Sequence, residues 1–299
     1  MKSRITPSTN YIDSLSSQKS KDAMRSLLNN IVSFYGSEGS HEEFDWSTIS
    51  YIQVNDLKNY LQHTKKRTPN TINTYLSAIR GVAKEAWKSR AITLDHYLRI
   101  KEVGNVSGDR ESKGRALSPE ELNKMIDYCM EEDGAIGMRD ACVIALTYSA
   151  GLRREEAALL SLSSYNPYEA KLTILGKGNK ERVNPLNNRV IDIIETWLDE
   201  RGRENGPMFV RIFKNDKVTL KPISDKTIYN IIIRRYKECG LDRLTPHDLR
   251  RTFATILLSQ GEDVFTVQEL MGHNSVDTTK KYDKRGEKQK IVAGKRLPL

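Results

Sequence analysis

The chain has 299 residues, 38% hydrophobic and 29% charged, a globular mixture rather than a disordered one. No run approaches the roughly 20 apolar residues that a membrane helix needs, and the N-terminus lacks the apolar core of a signal peptide. The net charge of +9, from 48 Lys and Arg against 39 Asp and Glu, suggests a polyanionic partner, most often nucleic acid.

Two weaker helical patterns open the chain, over residues 10–34, with Leu27, Leu28, Ile31 and Phe34, and over residues 55–64. A stronger one follows. Thr68 and Pro69 make a helix start, and Ile72, Tyr75, Leu76, Ile79, Val82, Ala83, Ala86 and Trp87 recur at three- and four-residue steps as one apolar face. Lys65, Lys66 and Arg67 precede this helix, and Lys84, Lys88 and Arg90 lie on its polar side or just beyond it. They read either as a solvated face or as phosphate contacts. Residues 1–116 carry 18 basic and 12 acidic side chains, and residues 117–299 carry 30 and 27, so the positive excess leans to the N-terminal part. Residues 104–114 are polar, hold three glycines and lack periodicity, as a linker does.

Past the linker, Ser118, Pro119 and Glu121 form a capping box with proline at the first helical position. Helices are expected over 138–150 and 154–161. The period then changes: residues 171–175 and 181–186, around a Gly-rich turn, read as a β-hairpin. Helices resume over 188–201, 224–238, 246–259 and 263–270. The fold class expected is mainly α with a small β-sheet. The expected organisation is a helical domain over 1–103, the linker over 104–114, an α+β domain over 115–285 and a tail over 286–299. Cys129, Cys142 and Cys239 have no CxxC spacing, so buried free thiols are expected rather than a disulfide framework or a zinc site.

Four segments carry candidate chemistry. His247 and Arg250 follow the helix start Thr245 and Pro246, on one face of the first turns, where free N–H groups favour an anion. Alone, they read rather as a surface His beside a solvated Arg. Arg153 and Glu156 follow the helix break at Gly151 and are alternatively an intrahelical ion pair. Lys177 sits at a glycine-flanked hairpin tip, which is otherwise a solvated turn. His273 follows Gly272, and Tyr282 comes nine residues later among Lys280, Lys281, Lys284 and Arg285. Positive charge there would stabilise a phenolate; alternatively the ring packs on a domain edge.

The ordered set is more specific than any member. Arg153, Lys177, His247, Arg250, His273 and Tyr282 follow at spacings of 24, 70, 3, 23 and 9. With the runs GLRREE, LGKGNKERVNPL, HDLRRTFAT and MGHNSVDTTKKY, the chain resembles the tyrosine recombinases of the lambda-integrase and Xer-like superfamily, strongly over about residues 117–285. Arg154 and Glu155 depart from the small or apolar residue and serine that the family often has there; Glu156 keeps its place.

The resemblance implies a helical core-binding (SAM-like) DNA-binding domain followed by the catalytic domain. It implies strand cleavage by Tyr282 with a 3′-phosphotyrosine intermediate. Arg153, Arg250 and His273 would bind the phosphate, His247 would be the general base and Lys177 the general acid, with Glu156 supporting the arginines. No metal and no cofactor are expected. The partners expected are double-stranded DNA recombination sites and three further copies of the chain, a homo-tetramer on two sites, with the tail docking on a neighbouring subunit. No membrane is involved, and the location expected is cytoplasmic and nucleoid-associated. So few residues precede the first helix that a separate arm-binding domain is not expected. The same chemistry rejoining the original strand would be a type IB-like topoisomerase. A catalytically silent DNA-binding protein on the same fold is the remaining alternative.

Overall fold

The computed structural model describes residues 5–108, 114–176, 180–213, 215–283 and 286. It divides into two compact units, Met1–Ser112 and Lys113–Leu299.

The first unit is helical: α1 (Pro7–Asp13), α2 (Gln18–Phe34), a 3-10 turn at Trp46–Thr48, α3 (Tyr51–Asn59) running into a π turn (Tyr60–Thr64), α4 (Pro69–Lys88) and α5 (Leu94–Glu102). The single helix expected over 10–34 is two. Ser14 turns its hydroxyl back to the Tyr11 carbonyl and Ser17 caps α2 through the Ser20 N–H, so the serines between them end one helix and start the next. α4 buries Ile72, Leu76, Ile79, Val82, Ala83 and Ala86, the stripe its periodicity predicts. Trp87 departs from that stripe: it is exposed and stacks on Tyr97 of α5 at 5.6 Å. Gly81 sits where a Cβ would meet the Tyr11 ring at 2.2 Å, which lets α1 lie directly on α4. α5 has no counterpart in the sequence reading. Of its residues only Ile100 is buried, while Leu94 and Leu98 are exposed, so its apolar residues do not mark the face that packs.

The second unit contains α6 (Pro119–Met130), α7 (Ala135–Ser149), α8 (Arg154–Leu159), a sheet of β1 (Tyr165–Asn166), β2 (Lys171–Leu175) and β3 (Glu181–Pro185), α9 (Asn188–Arg201), a hairpin of β4 (Val210–Ile212) and β5 (Val218–Pro222), and α10 (Asp225–Glu238), α11 (Pro246–Ser259), α12 (Val264–Met271) and α13 (Val276–Lys280). The expected box at the start of α6 is formed: the Ser118 N–H donates to Glu121 at 3.0 Å and the Glu121 N–H to the Ser118 hydroxyl at 3.3 Å. α7 is the central helix, and its residues 141–146 are all within 1% of full burial. The three cysteines are buried and free, Cys142 within α7 itself. The first sheet is antiparallel in the order β1-β2-β3, with Ile174 opposite Arg182. Its β2–β3 part matches the expected hairpin; β1 and the β4–β5 hairpin are additions. A separate small core of Phe253, Ala254, Leu258, Val267, Met271 and Tyr282 ties α11, α12 and the chain after α13 together, and so fixes where Tyr282 stands.

Candidate active site

Three carbonyls in succession at the C-terminal end of α12 are each held by a different arginine. Arg182 Nε donates to Leu270 O at 2.9 Å, Arg250 Nη2 to Met271 O at 2.6 Å, and Arg153 Nη2 to Gly272 O at 2.7 Å. These are the orphan acceptors of a helix end, where the dipole is negative and cations are favoured. Gly272 closes the helix in the left-handed region at φ +59, and a Cβ there would meet the Arg182 guanidinium at 3.1 Å. The glycine is therefore required both by the turn and by the arginine packed on it.

Glu156 binds this cluster from the other side. It accepts from Arg153 Nη1 at 2.6 Å, from the Arg153 N–H at 2.8 Å, and from Arg182 at 3.1 and 2.7 Å, with Arg250 at 4.0 Å. Burial pushes its carboxyl up, but the Arg182 and Arg153 donors prevail and bring it down to about 2. Arg250 is almost wholly buried, also donates to Gly151 O, and is pressed downward by burial and by the Arg153 charge. A cluster of three guanidiniums with one carboxylate gains by receiving an anion.

Tyr282 and the two histidines complete the pocket. The Tyr282 hydroxyl lies 3.3 Å from His247 Nε2. Its ring stacks with His273 at 6.1 Å and lies under the Arg251 guanidinium at 5.6 Å. The Tyr282 ring does pack, as its alternative reading had it, in the small core of α11 and α12 with the residue 7% exposed, and its hydroxyl at the same time faces His247. Burial and the Arg250 and Arg251 charges lower His247, while burial, Arg250 and Arg153 bring His273 down to about 4. Both rings are thus neutral near pH 7. A neutral His247 has a lone pair to offer the Tyr282 proton, and a neutral His273 has one N–H to offer an oxygen.

Arg153, Glu156, His247, Arg250, His273 and Tyr282, spread over 130 positions of sequence, therefore converge. The ion pair between Arg153 and Glu156 is real, but Arg153 caps α8 rather than lying within it. Lys177 lies outside the described residues. Lys65, Lys66, Arg67, Lys84, Lys88 and Arg90 are all exposed. They fall at the two ends of α4, whose 20 residues span about 30 Å. Among the described residues no group of three or more His, Cys, Asp or Glu is placed to hold a metal, and no helix is long and apolar enough to cross a membrane.

Arg182 was not singled out from the sequence, although it lies inside LGKGNKERVNPL. A signal was present. Along β3, Arg182 and Asn184 face inward and Val183 is half exposed, the reverse of the usual polar-out alternation. Asn184 uses its inward amide on Ala150 O at 2.9 Å and Leu270 O at 3.0 Å.

Residues 115–288 match the phage integrase family and residues 8–103 match the phage integrase SAM-like domain. The chain is 28% identical over 254 residues to tyrosine recombinase XerC of Mannheimia succiniciproducens, covering 79% of this chain and 82% of that one. It is 32% identical over 231 residues to XerC of Shewanella oneidensis, covering 74% and 69%. The fold is that of XerH site-specific recombinase bound to its palindromic difH substrate in a post-cleavage complex, with TM-score 0.70 at 20% identity over 97% of this chain and 87% of that chain. The family match covers more than half of the sequence, and the chain belongs to the phage integrase family, the tyrosine recombinases.

Proposed function

We propose that the chain is a site-specific DNA recombinase that cleaves and rejoins strands through a 3′-phosphotyrosine. The observation that carries this reading is the Tyr282 hydroxyl 3.3 Å from His247 Nε2, next to His273 and the Arg153 and Arg250 cluster. Tyr282 attacks the scissile phosphorus, its proton passes to His247, and the bond to the 5′-oxygen breaks. Arg153 and Arg250 stabilise the charge gathering on the non-bridging oxygens, and His273 adds a donor. Lys177 protonates the departing 5′-oxygen. The phosphotyrosine conserves the ester bond, so a second 5′-hydroxyl rejoins the strands with no external energy source. The relatives carry the name of tyrosine recombinases, which supports exchange between strands over simple relaxation.

The DNA partner is double-stranded. Lys65, Lys66, Arg67, Lys84, Lys88 and Arg90 of the helical domain are assigned phosphate contacts, and the protein is taken as cytoplasmic and nucleoid-associated. Four copies assemble on two sites. Residues 287–299 lie outside the described residues. They are assigned to dock on a neighbouring subunit.

The test is covalent capture. The full chain is incubated with nicked random-sequence duplexes, and protein-linked DNA is sequenced. One enriched site is expected, and two plasmids carrying it should exchange strands. Relaxation without exchange would make the activity a type IB-like topoisomerase; DNA bound but never linked would leave a silent DNA-binding protein.

The Lys177 assignment has its own check on the captured site. Lys177→Ala should lose roughly 10²–10⁴-fold in cleavage, the usual worth of a positioned proton donor. A duplex with a 5′-bridging sulfur, whose thiolate leaves without a proton, should recover most of that rate. A variant equally slow on both substrates would reduce Lys177 to a phosphate contact.

A further inference from the structure

Thr279 is fully buried on α13, three residues before Tyr282, and touches both halves of the site. Its hydroxyl lies 2.8 Å from His273 Nδ1, and its carbonyl accepts the Tyr282 N–H at 2.9 Å. Among the described residues the ring nitrogen is the hydroxyl's one partner. A buried hydroxyl proton without an acceptor is costly, so the hydroxyl donates and Nδ1 accepts. A neutral imidazole accepting at Nδ1 carries its hydrogen on Nε2.

The His273 backbone is pinned as well. Its N–H donates to Gln268 O at 3.1 Å, and its carbonyl accepts from Gln268 Nε2 at 2.9 Å. The ring can therefore neither slide along α12 nor turn over without breaking the Thr279 bond. Around it stand Arg250, Arg153, His247 and Arg182, which oppose a second proton on the ring. With one hydrogen available, its position decides whether His273 gives a hydrogen bond to an incoming phosphate oxygen or presents a lone pair to it.

We infer that Thr279 is a positioning residue: its hydroxyl fixes His273 as the Nε2–H tautomer, and its carbonyl ties that donor to the Tyr282 nucleophile. The inference rests on the recombinase reading for its consequence, but the tautomer is a property of the free protein and is tested separately.

The test has two arms. In the first, the full chain with ¹⁵N-labelled histidine rings is examined by NMR without DNA, with His273 identified by its absence in His273→Gln. The wild type and Thr279→Ser should show hydrogen on Nε2 alone; Thr279→Val, of the same shape without the hydroxyl, should show mixed tautomers. In the second, single-turnover covalent capture is followed on the site selected above. Thr279→Val should cleave roughly 10-fold slower, the typical loss when a partner orienting a histidine is removed. Thr279→Ser should cleave like wild type, DNA affinity should not change, and Thr279→Val should add no further loss to His273→Gln.

Hydrogen on Nδ1 in the wild type would overturn the inference, and so would a valine effect of equal size with and without His273. If the valine variant does not fold, the wild-type and serine spectra still decide the tautomer. A wild type that links to no DNA would sink the recombinase reading while leaving the tautomer result standing.

Discussion

Tyr282→Phe should bind DNA like the wild type and form no covalent adduct. The ring stays in place because its surroundings are apolar and cationic: Phe253, Leu258, Val267 and Met271 form its core, and Arg251 lies over its face. Phenylalanine satisfies all of these contacts. What is lost is one oxygen at 3.3 Å from His247 Nε2, a long hydrogen bond whose removal should change stability by no more than about 1 kcal/mol. Such bonds commonly tighten only when substrate is present. The chemical loss is complete, because among the described residues no other hydroxyl is hydrogen-bonded to His247. A nicked duplex that cannot religate, followed by denaturing electrophoresis, reads the adduct; a gel shift on the same duplex reads binding. An adduct formed by the Phe variant would remove Tyr282 as the nucleophile.

The parts of the fold legible in the sequence are those with local signals. The cap at Thr68 and Pro69, the box at Ser118 and Glu121, and the 3.6 period of α4 each need only a few neighbouring residues, and each is found in the structure. The spacing from Arg153 to Tyr282 was legible for another reason: it resembled a known pattern. What was not legible depends on distant contacts. α5 has exposed leucines and a single buried residue, so its helix is defined by packing on α3 and α4 and by its cap rather than by periodicity. The strands β1 and β4 span two and three residues, too short for alternation to register, and β5 buries none of its five residues, so no apolar face marks it. α13 contains five residues, Val276–Lys280, and is mostly polar in sequence, yet its Thr279 is completely buried, with its hydroxyl on His273, 6 positions away. Arg182 is the clearest case. In sequence it is one more charge in a basic hairpin; in space it closes a bidentate pair with Glu156, 26 positions away, and caps α12.

Glu156→Gln should cost both stability and cleavage, because one carboxylate holds the arginines apart and aims them. Its oxygens take Arg153 at 2.6 Å and Arg182 at 2.7 Å, and its side chain is only 6% exposed. Glutamine keeps the shape but places an NH₂ donor against a guanidinium and leaves three cations with no anion among them. The size follows from proton linkage. The folded carboxyl sits at about 2 against an ordinary 4.5, so the unfolded chain binds the proton more tightly. The stabilisation is therefore fully present above the ordinary value and fades as pH falls from about 4.5 toward 2; at pH 7 it is worth about 3 kcal/mol. The variant should melt roughly 6–12 °C lower at pH 7, and the gap should narrow as the wild type is taken below pH 4.5. Cleavage should fall about 10²-fold with little change in DNA affinity, since phosphate charge is still met but by misaimed donors. Thermal melts at pH 7 and at pH 3, paired with single-turnover capture at pH 7, measure both effects. A variant that melts with the wild type at pH 7 would show that Glu156 does not hold the arginines. One that is destabilised yet cleaves at the wild-type rate would show that Arg153 and Arg250 find the phosphate without it.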